Sequence, residues 1–198
     1  MSNEIYWYLA SYPKSGNTWC RIFISELHKL ISLEKGHNYD EHQLNLNKDL
    51  QTGEIISNRY WIDDQLGFDS SDLDLDELDI IRGDIEHSKS LYYEGFRYHK
   101  VHDSYLTFKN RKRSIVNPQN CGGIVYLIRN PLDIAISLSH FFQWDVEDCV
   151  KFLLDENASL CSSKRKVGFQ VRQFLGDWEF HINSWINQKD IPILGICR

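Results

Sequence analysis

An α/β fold organised on a mostly parallel sheet is predicted by three features of the sequence. The apolar runs Ile5 to Ala10 and Ile124 to Ile128 are each followed by a short polar loop and then by a segment with helical periodicity. Such strand-loop-helix units are the usual connection between parallel strands. The second run is apolar throughout, as expected of a central strand covered on both faces, and the closing IPILGICR reads as a last buried strand.

A chain of 198 residues is long enough to bury one good core, and residues 1–198 are read as a single domain. With 42% hydrophobic and 25% charged residues and no apolar run long enough to cross a bilayer, the composition is that of a soluble globular protein. A cytoplasmic location is expected, because MSNEIYWYLAS lacks the basic-then-apolar layout of a signal peptide. The five cysteines are odd in number, widely spread and without a C-x-x-C pair, so they encode neither a zinc site nor a disulfide framework. A formal net charge of -6 argues against a nucleic-acid partner bound through a broad basic face. Any anion must therefore be held by a local pocket.

The first junction is YPKSGNTW, Tyr12 to Trp19. Here the unpaired N–H groups and positive dipole end of a helix meet a loop, which suits an anion. Lys14 adds a full charge, Gly16 lets the backbone approach closely, and Ser15, Asn17 and Thr18 offer short hydrogen-bonding side chains. Beyond it, Trp19, Phe23, Leu27, Leu30 and Ile31 recur at helical spacing, so the helix is expected to cover a sheet face with this stripe and to stop near Gly36. The polar stretch that follows, with His37 and His42, reads as loop with solvated histidines.

Residues Trp61 to Glu86 are strongly acidic, and Ser70 and Ser71 ahead of Asp72 and Asp74 suggest where a surface helix with a wet acidic face begins. Spacing excludes an EF-hand. In FRYHKVH, Phe96 to His102, a period of two puts Lys100 and His102 on one face of a strand, at its C-terminal end, where a polar ligand binds in parallel sheets. NRKRS, Asn110 to Ser114, reads as a solvated basic turn.

The strand Ile124 to Ile128 ends in Arg129-Asn130-Pro131, with Asn130 suited to cap a helix and Pro131 to open it. Arg129 offers a planar fork for a phosphate, and Ser137, about two turns into the helix, a hydroxyl to share it. WDVEDCVKFLL is helical in pattern, Ser162 to Gly168 is a polar loop, and LGDWEFHINSW is an amphipathic helix whose Trp178 and Trp185 suit core packing.

Together these motifs resemble the sulfotransferases that use 3′-phosphoadenosine 5′-phosphosulfate (PAPS), the cytosolic type and its bacterial relatives. YPKSGNTW is similar to that family's 5′-phosphosulfate loop, RNPLDIAISLSHF to its 3′-phosphate motif, and Lys100-Val101-His102 to its K-x-H. The acidic segment from Ser70 to Glu86 and the W-x-x-H-x-x-x-W of Trp178 to Trp185 also resemble bacterial members, and in the family a threonine often stands in place of Asn17.

The resemblance implies a three-layer α/β fold, its central mostly parallel sheet flanked by helices in a P-loop-like nucleotide-binding architecture. It implies that Lys14 contacts the 5′-phosphosulfate, that Ser15, Gly16, Asn17 and Thr18 hold it, and that Trp19 stacks on adenine. Arg129 and Ser137 would bind the 3′-phosphate, Ser137 also counting among the catalytic residues, and His102 would be the base, with Lys100 beside it. The acceptor would be a small molecule, an alcohol, phenol or amine, and the reaction needs no metal. Homo-oligomer formation is left open. The family's later G-x-x-G-x-W-K segment has no counterpart here, so the expectation includes an alternative: a shortened, inactive module that binds PAPS or its product, or scaffolds a partner. A P-loop NTPase is disfavoured, because Lys14 precedes Gly16 and the strand Ile124 to Ile128 leads to Arg129 rather than a magnesium-binding Asp.

Overall fold

The computed structural model describes residues 6–34, 55–88, 98–106, 114–163 and 168–197. Strand β1 (Tyr6–Ser11) leads into α1 (Asn17–Glu34). Helices α2 (Arg59–Leu66) and α3 (Leu75–Ser88) precede β2 (Tyr98–Val101). Strand β3 (Cys121–Leu127) runs into α4 (Pro131–Phe142), and α5 (Val146–Leu154) follows. The short strands β4 (Ser159–Leu160) and β5 (Gln173–Phe174) pair antiparallel before α6 (Trp178–Ile186) and β6 (Ile193–Cys197).

Among the described residues the main sheet has four strands in the order β2-β1-β3-β6, all parallel, and helices flank it. From β1 the chain moves to β2 on one side, and from β2 it crosses to β3 on the other. The crevice between the carboxyl ends of β1 and β3 is therefore a topological switch point, where open α/β sheets take their ligands. Both junctions picked out from the sequence open onto it.

Alternation along the strands sets the core. Tyr8 and Ala10 of β1, Val101 of β2 and Ile124 and Tyr126 of β3 are buried together with Trp185 of α6. A second cluster joins Tyr12 to Ile134, Ala135 and Leu138 of α4 and to Cys149 and Leu153 of α5. The packing role expected of Trp185 holds, while Trp178 packs half-buried at the edge of this second cluster.

Several expectations change. The α1 stripe faces outward: Trp19 is 71% exposed, Phe23 53%, Leu30 60%, and Leu27 and Ile31 42% each. The sheet side carries Asn17, Arg21 and Ser25 instead, at i, i+4 and i+8, all buried. The cause is local, since the Asn17 side-chain amide donates to Leu9 O (3.1 Å) and Ser11 Oγ (3.1 Å) and so turns the polar stripe inward.

The acidic helix starts later than Ser70 suggests. Ser70–Asp72 form a 3-10 turn, and Asp74 caps α3 by accepting from the Asp76 and Glu77 N–H groups (both 2.8 Å) while Glu77 accepts from the Asp74 N–H (3.0 Å). Nor is its acidic face all wet, because Asp79 is buried between Arg82 and Arg172. Among the described residues strand β6 lies at the sheet edge, and Leu194 (52%) and Ile196 (45%) are exposed where a buried strand was expected. The His37 and His42 segment, residues 110–113 of the basic turn and 164–167 of the polar loop lie outside the described residues.

Candidate active site

The Tyr12–Gly16 loop is shaped by two left-handed residues, Lys14 (φ 69°) and Gly16 (φ 96°). Glycine takes this conformation freely, whereas at Lys14 it costs on the order of 1 kcal/mol. The loop closes with Ser15 N–H donating to Tyr12 O (3.3 Å) and Cys20 N–H to Gly16 O (3.0 Å), so α1 begins directly behind it. The Ser15 hydroxyl is buried and, among the described residues, has no hydrogen-bond partner, and the same holds for Asn17 Oδ1. An orphaned hydroxyl in a loop backed by a helix N-terminus fits a phosphate or sulfate oxygen. The Asn17 side-chain NH2 is spent on β1.

The second junction forms as its residues suggest. Asn130 accepts from Leu132 N–H (2.9 Å), and Pro131 opens α4. Arg129 reaches across the crevice, its Nη1 donating to Lys14 O at 3.0 Å. The Lys14 ammonium lies 4.5 Å from the centre of the Phe141 ring, one helical turn beyond half-buried Ser137 on the same side of α4. The two loops are thus tied to each other. Trp19 stands exposed at the rim and stacks on Phe23 (centroids 5.6 Å apart, planes 4° from parallel).

On the other side of β1, register pairs Leu9 with Lys100 and Ala10 with Val101, which brings Ser11 beside His102. His102 Nδ1 is 2.8 Å from Ser11 O and 3.1 Å from Ser11 Oγ. A carbonyl oxygen can only accept, so Nδ1 carries the proton and Nε2 keeps its lone pair. Burial, and then the Lys100 charge, hold the imidazole well below its usual pKa, against the opposing pull of the Ser11 hydrogen bond. It is therefore neutral at pH 7. Burial, and then Arg21, bring the Lys100 ammonium down to about 8.

The structure brings Lys14, Ser15, Gly16, Arg129, Lys100 and His102 to the carboxyl ends of three adjacent strands, with Ser137 on the helix behind. Sequence reading missed Arg21, which lies buried on the sheet side of α1 and lowers the pKa of both Lys100 and His102. Its signal was spacing: Arg21 stands one turn after Asn17, so whichever way Asn17 faces, Arg21 follows. Ser11, the partner of His102, gave no signal of its own.

The segment after β2 is held by buried charge. Arg82 makes a two-pronged bond to Asp103 (3.1 and 2.9 Å), and Asp103 also accepts from Phe174 N–H (3.1 Å). Arg82 donates further to Arg172 O, and Arg172 in turn pairs with Asp79 and Asp76. Burial pushes Asp79 up to about 6, against the pull of both arginines.

A parallel sheet flanked by helices, with two anion-suited junctions at its switch point, defines the protein as one of the α/β class. Within that class the chain belongs to the sulfotransferase domain family, whose profile matches residues 7–192. A search of curated proteins finds no match. The family's chemistry is the transfer of sulfuryl groups. Among the described residues no helix is long and apolar enough to cross a membrane.

Proposed function

We propose that the chain transfers a sulfuryl group from PAPS to the hydroxyl or amine of a small-molecule acceptor, with His102 as general base. The observation that carries this reading is the His102 geometry: a buried, neutral imidazole whose Nδ1–H is anchored on Ser11 and whose Nε2 is left to accept a proton.

PAPS supplies the activated sulfuryl group. Lys14, beside the loop formed by Ser15, Gly16, Asn17 and Thr18, neutralises charge on the departing phosphate, and the α1 backbone N–H groups hold its oxygens. Arg129 and Ser137 bind the second phosphate, and Trp19 gives the adenine a flat apolar platform. As the acceptor oxygen attacks sulfur, its proton passes to His102 Nε2, the new S–O bond forms and the bond to the phosphate oxygen breaks. Lys100 holds positive charge beside that step. In-line positioning and charge stabilisation do most of the work, as in phosphoryl transfer.

The test is transfer of labelled sulfate from PAPS over a panel of alcohols, phenols and amines, with His102→Ala and Lys14→Ala as controls. Transfer by the wild type that both changes abolish supports the reading. Transfer that survives both removes the mechanism, and calorimetric binding of the nucleotide product without any transfer would point to a binding module instead.

A further inference from the structure

Behind the site, His181 of α6 is fully buried and makes two directed hydrogen bonds. Its Nε2 lies 2.9 Å from the main-chain carbonyl oxygen of His102, and its Nδ1 lies 2.6 Å from the Tyr126 hydroxyl. The carbonyl can only accept, so Nε2 carries the proton and Nδ1 receives the Tyr126 O–H. A single chain of donors results, from Tyr126 O–H to His181 and from His181 N–H to the peptide that bears His102. Burial brings His181 down to about 4, which keeps it in this neutral form.

The same helix grips the next residues. Trp185 Nε1–H donates to Asp103 O (3.0 Å), and Ser184 Oγ accepts from Tyr105 N–H (3.0 Å). Filling the core would need only an apolar side chain here. A buried imidazole is tolerated because both its nitrogens are satisfied, and what one of them satisfies is the peptide of His102.

We propose that His181 is a positioning residue for the transfer reaction, holding the His102 peptide so that the imidazole keeps its Nδ1–H on Ser11 and its Nε2 toward the acceptor. This rests on His102 being the base, as read above. Lys14 and Arg129 stand on other loops, so donor binding is not expected to depend on His181.

The experiment compares His181→Leu, which removes the donor, with His181→Gln, whose amide N–H can reach the same carbonyl. Nitrogen-detected NMR of the His102 ring reads its tautomer, and steady-state kinetics and calorimetry read kcat and nucleotide-product affinity. We expect one His102 tautomer, protonated at Nδ1, in the wild type and a mixture in His181→Leu. The Leu variant should lose roughly 10- to 100-fold in kcat, the scale of a small misplacement of a reacting group, with product affinity within about twofold. His181→Gln should recover the tautomer and most of kcat. A folded Leu variant with the wild-type His102 spectrum and kcat overturns the proposal, and so does a Gln variant no better than Leu.

Should His181→Leu fail to fold, His181→Met, which also lacks a donor but fills the site with a more flexible side chain, decides: mixed His102 tautomers support the proposal and an unchanged spectrum overturns it. If the wild type transfers no sulfate, the functional reading fails, while the tautomer comparison still judges the positioning claim.

Discussion

His102 and Lys14 stand at the ends of neighbouring strands, yet the chain holds them in opposite ways. His102 is 8% exposed, its ring is fixed on Ser11, and the peptides around it are tied to His181, Trp185 and the Arg82–Asp103 pair. Lys14 sits in a left-handed loop, its carbonyl meeting one exposed arginine and its ammonium resting on the face of an exposed phenyl ring. The imidazole is set in advance by buried polar groups that cannot rearrange without losing partners. The two cations at the loops are held by contacts worth about 1 kcal/mol or less, which a doubly charged ligand can readily replace.

That contrast can be broken on either side, and the largest effect is expected at the base. His102→Ala should lower kcat by about 100- to 10,000-fold while leaving nucleotide-product affinity nearly unchanged, read by turnover and calorimetry on the same preparation. Equal losses in both would mean that the two sides are not separate.

Next in size is the support beneath the base. Asp103→Ala leaves Arg82 buried without its two-pronged partner and should destabilise the fold by about 3–5 kcal/mol, measured as a shift in urea midpoint at constant slope. A loss below about 1 kcal/mol would show that the buried pair does not secure this segment.

Ionisation gives a smaller and graded effect. His102 must be neutral to accept a proton, and its depressed pKa moves the acid limb of kcat well below pH 6.5. Lys100 loses its charge near pH 8, so the alkaline limb should fall there, and Lys100→Arg, which stays charged, should move that limb upward. An alkaline limb unmoved by the substitution would exclude Lys100 as its source. Stability follows the depressed groups in the same sense. His181, neutral in the fold at a pKa of about 4, adds stability that is complete above about pH 6.5 and lost as pH falls toward 4. Asp79, raised to about 6, contributes in the opposite direction, losing its part as pH rises through 6. The urea midpoint of His181→Gln should therefore fall less between pH 6.5 and 4 than that of the wild type.

The smallest change is expected on the loop side. Phe141→Leu removes the ring beneath Lys14, an exposed cation–π contact worth about 0.5–1 kcal/mol, and should shift nucleotide-product affinity by less than about fivefold. A shift beyond tenfold would mean that Phe141 orders the loop rather than merely resting against it.

The junctions were readable because their signals are local. Asn130-Pro131 caps and opens a helix by chemistry within three residues, Lys14-Ser15-Gly16 shapes a loop by the conformational freedom of its own residues, and period two along Phe96 to His102 aligned Lys100 with His102. The α1 stripe misled for the converse reason. Helical spacing identifies an apolar side but not which way it turns, and one side-chain amide, Asn17 on Leu9 and Ser11, turned the polar side inward. Strand β6 was likewise apolar enough for the interior, yet its Leu194 and Ile196 are exposed at what is, among the described residues, the sheet edge.

By itself, then, the sequence determined the α/β class, the two anion-suited junctions and the pairing of Lys100 with His102 on one face of a strand, since each depends on residues a few positions apart. Only the tertiary structure decided that Arg21 faces Lys100, that Arg82 pairs with Asp103 and that Tyr126 and His181 reach the peptide of His102. These partners lie 21 to 79 residues apart along the chain. No local periodicity encodes them, because a buried polar group finds its partner only when distant elements close over it and exclude water.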